Sequence, residues 1–117
     1  MNYEIIIPDI ILTSMMKDKE LVRQFVEMYL TQSPDDFRKL EASIAEANLD
    51  NIRNYAHHIK PTMTYIGAEL LHQNFQELED LARVGDNFPE IQRKFDEIKA
   101  LFEKMLAELR FFLLEMI

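Results

Sequence analysis

The chain has 117 residues, 48% of them hydrophobic and only two of them Gly, which suits one domain with one core and is too short for two. A net charge of −8, with no cluster of Lys or Arg to override it, excludes nucleic acid as an expected partner. With no Cys there is no disulfide framework and no thiol chemistry, and the apolar runs are far too short to span a bilayer.

Helical segments follow from punctuation and period, taken in chain order. The opening Met1-Asn2-Tyr3-Glu4 has no basic start and no long apolar stretch, unlike a signal peptide, so a cytoplasmic location is expected. A short helix is expected around Pro8 to Met15, its isoleucines capping one end of a bundle. A second segment runs from near Asp18 to about Thr31, with Leu21, Phe25, Met28 and Tyr29 as its inner stripe and Val22 beside them. A third opens at Ser33-Pro34-Asp35-Asp36, where a Ser cap, a first-turn Pro and two acids mark a helix start. Phe37, Leu40, Ile44 and Ala47 follow at helical spacing. Asn48 then caps a segment from Leu49 to about Thr64. The next runs from about Ala68 to Arg83, with Gly85 as its stop. The last starts near Asn87-Phe88-Pro89 and continues toward Glu115 on a stripe of Ile91, Phe95, Ile98, Phe102, Met105, Leu109 and Phe112. No segment keeps a period of two, so no strand is expected. Short connections make neighbours antiparallel, giving an all-α, up-and-down antiparallel four-helix bundle with a short additional N-terminal helix.

The residues suited to chemistry lie between Tyr55 and Ala68. Ile52, Ala56, Ile59 and Met63 form the buried stripe there. Arg53, His57, Lys60 and Thr64 recur at four, three and four residues on another face, so they are neighbours. His57 should project outward with a cation one turn away on each side. An imidazole, with an ordinary pKa of about 6.5, is a competent nucleophile near neutral pH. A phosphoryl group arriving on it brings up to about two negative charges, which Lys60 can offset. The other ring nitrogen needs a partner. His72, Gln76, Glu79 and Arg83 align beside the stripe Leu71, Phe75, Leu78 and Ala82, and could supply Gln76 or Glu79.

This stretch resembles the histidine phosphotransfer (HPt) domain family, whose motif has the form Ala-His-x-Leu-Lys-Gly with Leu-Gly-Ala shortly after. The matching residues are Ala56-His57-His58-Ile59-Lys60-Pro61, then Ile66-Gly67-Ala68. The resemblance extends over nearly all of residues 1–117, as a single HPt domain. It implies that His57 and not His58 is the phosphohistidine, because His57 lies three residues before Lys60. It implies that Lys60 contacts the phosphoryl group or steers the partner. Gly67 matches the small residue that lets the motif helix end and the next begin. The activity implied is reversible phosphoryl transfer in a two-component phosphorelay, between His57 and an aspartate of a response-regulator receiver domain, with a hybrid sensor histidine kinase as a possible further partner. No cofactor is expected on this chain, and Mg²⁺ would sit on the receiver. A monomer is expected, with no ATP binding and no kinase activity of its own. One departure stands out: the family has Gly after the Lys, whereas Pro61 here cannot donate to the His57 carbonyl, so a kink or a free carbonyl is expected.

The residues alone leave two other readings open. One is a non-catalytic helical adaptor that binds receiver domains. The other is a helical dimerisation module driven by the apolar run Phe111 to Ile117. A metal site is disfavoured, because His57 and His58 diverge on a helix and no further ligand stands at the usual spacing. Met28, Met63 and Met105 are expected in the core.

Overall fold

The structure, a computed structural model, describes residues 2–116. Met1, and Ile117 at the end of the apolar C-terminal run, lie outside the described residues. Five helices make up the fold: α1 (Pro8–Ser14), α2 (Lys19–Ala45), α3 (Leu49–Tyr65), α4 (Glu69–Val84) and α5 (Phe88–Glu115). No strand occurs among the described residues. Helices α2 to α5 form the up-and-down bundle, each packed on its chain neighbour and α5 closing back onto α2, while α1 packs on α2 and α3.

The expected helix starts rest on real caps. The side chains of Asp18, Asn48 and Asn87 accept hydrogen bonds from the backbone N–H of Leu21, Asn51 and Glu90. Gly85 ends α4 in the left-handed conformation, its N–H bonded to the Leu81 carbonyl. Gly67 follows α3 with φ +74° and lies so close to the N-terminal segment that an added Cβ would stand 2.8 Å from that of Ile7.

The expected break between Thr31 and Ser33 does not exist. Helix α2 runs unbroken through Pro34, and Ser33 is buried inside it instead of capping a new helix. A proline in a helix interior costs about 3 kcal/mol. Unbroken, the helix keeps Phe37, Leu40 and Ile44 on the stripe begun by Val22 and Val26, and each such burial contributes roughly 1.5–3 kcal/mol. Phe37 stacks on both Phe102 and Phe95 of α5, at centroid distances of 4.4 and 5.4 Å. Packing outweighs the lost bond.

The inner stripe of α2 is also rotated from its expected position. Val22 and Val26 are fully buried, Leu21 and Met28 are exposed, and Phe25 and Tyr29 lie at the margin, stacked on each other. Met63 and Met105 are in the core as expected, and Met28 is not. Ala47 lies beyond α2 in the turn to α3, with φ +52°. The expected stripes of α3, α4 and α5 are all buried.

The start of the chain is fastened by a residue with no obvious sequence signal. The Glu108 carboxylate is buried on α5 and accepts hydrogen bonds from the backbone N–H groups of Glu4, Ile5 and Ile6, at 2.9–3.0 Å. Tyr3 packs edge-on against Phe111 and Phe112. The apolar C-terminal run therefore packs in part against the N-terminal segment.

Candidate functional site

Helices α3 and α4 are the most intimately packed pair in the bundle, and their polar stripes meet along one edge. His57 lies mid-α3 with a side chain 70% exposed. Its Nδ1 is 2.9 Å from Oε1 of Glu79, which is 6% exposed on α4. Lys60, one turn on, donates to Oε1 of Gln76 at 2.6 Å and to Oε1 of Glu79 at 3.3 Å. The far side of the Glu79 carboxylate receives Arg83, at 3.1 Å from Oε2. Asp80 completes the cluster, accepting from Arg83 at 2.8 Å and from Gln76 at 3.0 Å.

One buried carboxylate thus gathers an imidazole, an ammonium and a guanidinium. Burial alone would raise the Glu79 pKa, but the hydrogen bonds from His57 and Lys60 and the charge of Lys60 outweigh it and hold the group below the ordinary carboxyl value. An ionised Glu79 only accepts hydrogen bonds. The bond to Nδ1 is therefore made by an N–H of the ring, and in the neutral tautomer this leaves Nε2 as the free lone pair.

The structure brings His57, Lys60, Gln76 and Glu79 into one cluster. Between the two partners left open for the ring, Glu79 takes the imidazole and Gln76 takes Lys60. Lys60 is held between two acceptors and only 14% exposed, rather than free as a surface charge. Arg53 lines a groove of about 300 Å³ with His57, Glu79 and Arg83, and pairs with Asp50 at 3.9 Å. Thr64 is exposed two turns beyond His57 and makes no hydrogen bond to the cluster. Gly67 is not in the cluster; it ends α3. Helix α3 runs through Pro61 without a break, and Pro61 is exposed. Arg83 and Asp80 join the site without having been singled out as site residues. The four-three-four alignment of Arg83 with Glu79 was the available signal. His58 is also exposed but faces the α2 side, lining a separate cavity there.

Among the described residues, no group of three or more His, Asp or Glu side chains is placed to hold a metal ion. No helix there is long and apolar enough to cross a membrane.

The exposed histidine, buried carboxylate and flanking lysine form a site built to hold one imidazole face outward. The family model described as the Hpt domain matches residues 24–110. The chain therefore belongs to the Hpt domain family, and its role is histidine phosphotransfer in a phosphorelay. Two solved structures share the fold. The HPT domain of a sensor hybrid histidine kinase from Shewanella is similar at 16% identity and a TM-score of 0.79, over 92% of each chain. Histidine-containing phosphotransfer protein B from Pseudomonas aeruginosa is similar at 20% identity and a TM-score of 0.65, over 92% of this chain and 98% of that one. No curated protein matches the sequence significantly.

Proposed function

We propose that residues 1–117 form a single, monomeric HPt domain that carries the phosphoryl group on Nε2 of His57 and exchanges it with an aspartate of a response-regulator receiver domain. The observation that carries this reading is the bond between His57 Nδ1 and the buried Glu79 carboxylate, with the rest of the ring in solvent. In the forward step the Nε2 lone pair forms a bond to phosphorus as the aspartyl acyl-phosphate bond breaks, and the aspartate leaves as its carboxylate. The ring becomes an N-phosphorylated imidazolium that keeps its Nδ1 proton. Its positive charge then faces Glu79, which stabilises it. Return of the group to an aspartate reverses each change, so the ring needs no separate acid or base.

Lys60 is the cation beside the incoming phosphoryl group, and Gln76 and Glu79 hold it in place before the group arrives. Transfer of this kind rests on positioning and charge stabilisation. The chain needs no cofactor of its own, and Mg²⁺ belongs on the receiver. The receiver docks on the exposed face around His57, where Pro61 and Thr64 lie along α3 and the exposed Tyr65 adds apolar rim. The working compartment is the cytoplasm.

The test is a transfer assay from a phosphorylated receiver domain. Wild type and His58→Gln should both take up acid-labile phosphate, and His57→Gln should take up none. Labelling lost only in His58→Gln moves the assignment by one residue. A wild-type chain that binds the receiver and never carries phosphate is an adaptor.

A further inference from the structure

A second site lies on the α2 side of α3, away from Glu79. Tyr29 Oη and Ser33 Oγ stand one helical turn apart on α2, and both are buried without a hydrogen-bond partner among the described residues. Ser33 is 3% exposed. Buried hydroxyls in folded proteins nearly always have partners, so two orphans on adjacent turns call for one. Both residues line a cavity of about 150 Å³ between α2 and α3. Phe25, Ile59 and Phe102 supply its apolar walls, and the exposed His58 marks where it meets solvent.

The shape and charge of the cavity narrow what it accepts. A cavity of roughly this volume holds a single six-membered ring. The Tyr29 ring is stacked on Phe25 at 5.9 Å, so this wall is preformed. Asp36 also lines the cavity, and its carboxylate disfavours an anion there. Burial and Asp36 both push the Tyr29 phenol above its ordinary pKa, so it remains a donor.

We propose that this cavity binds a compact neutral molecule of about the size of phenol, with a hydrogen-bonding end and an apolar body. Tyr29 donates to the ligand oxygen, the ligand hydroxyl donates to Ser33 Oγ, and the ring lies against Ile59 and Phe102. The site uses none of the groups that hold His57, so its test is independent of the phosphocarrier reading.

Phenol titrated into the ¹⁵N-labelled full chain, read by amide chemical shifts, tests the proposal. The expected result is a saturable shift confined to residues 25–36 of α2, 58–62 of α3 and the turn of α5 around Phe102. Tyr29→Phe keeps the ring and removes the hydroxyl, and Ser33→Ala removes the other hydroxyl without adding bulk. Each should weaken phenol about fivefold, as expected for one neutral hydrogen bond, and benzene should bind wild type more weakly than phenol. No saturable shift, with the cavity holding water only, would overturn the proposal. So would unchanged affinity in both variants.

Discussion

Three donors from two helices converge on the carboxylate of Glu79, and the consequences can be measured residue by residue. Glu79→Gln keeps the shape but removes the charge that fixes the His57 tautomer. A hydrogen bond to a charged group contributes roughly 1.5–3 kcal/mol, so the transfer rate should fall about 10- to 100-fold with folding intact, in a time course from a phosphorylated receiver. The same group sets a pH dependence of stability. The folded pKa of Glu79 is depressed, so its contribution is present above the ordinary carboxyl range and is lost as pH falls through the folded value. Denaturant midpoints should show wild type ahead of Glu79→Gln at pH 7, with the gap closing as the pH drops below about 4. A gap that stays constant with pH would show that Glu79 is not held ionised. Helical spacing placed Glu79 and Gln76 beside His57 and Lys60, but spacing identifies a face and not a partner. Which side chain reached which nitrogen depended on the offset between α3 and α4, and the loop Ile66-Gly67-Ala68 fixes that only in three dimensions.

The helices themselves were legible where caps and stripes agreed. Asn48, Gly85 and Asn87 carried local hydrogen-bond chemistry that the fold uses unchanged. Ser33-Pro34 carried a false start signal, because a buried stripe running from Val22 to Ile44 outweighs a cap. Glu108 could not be found from sequence. It lies between the core positions Met105 and Leu109, and its partners are about a hundred residues away at the start of the chain. Glu108→Ala leaves three backbone N–H groups without their acceptor. It should cost about 2–4 kcal/mol and lower Tm by roughly 8–16 °C in a thermal melt. Gly67→Ala forces a side chain onto a left-handed residue against Ile7, so it should also lower Tm. Glu108 lies away from the Glu79 cluster, so transfer below the melting range should survive Glu108→Ala.

At the scale of the whole molecule, the four long helices close around a single cluster of buried side chains, with Phe37, Phe75, Phe95 and Phe102 stacked or edge-on at its centre. The fold class was readable because the stripes of α3, α4 and α5 are regular and the connections are short. The exposed large apolar residues, such as Met28, Tyr65, Leu70 and Leu114, are spread over different helices. Sedimentation should therefore give one species near 13.9 kDa, and a species of about twice that mass would restore the dimerisation reading. The bundle holds the exposed His57 imidazole with its inner nitrogen bonded to a buried acid. The most direct test is to phosphorylate the chain from a receiver domain and locate the group by ³¹P and ¹⁵N NMR. The expected result is a single phosphohistidine at His57 with phosphorus on Nε2 and a proton retained on Nδ1; phosphate on His58, or on Nδ1 of His57, would contradict the role of Glu79 as the acceptor that leaves Nε2 free.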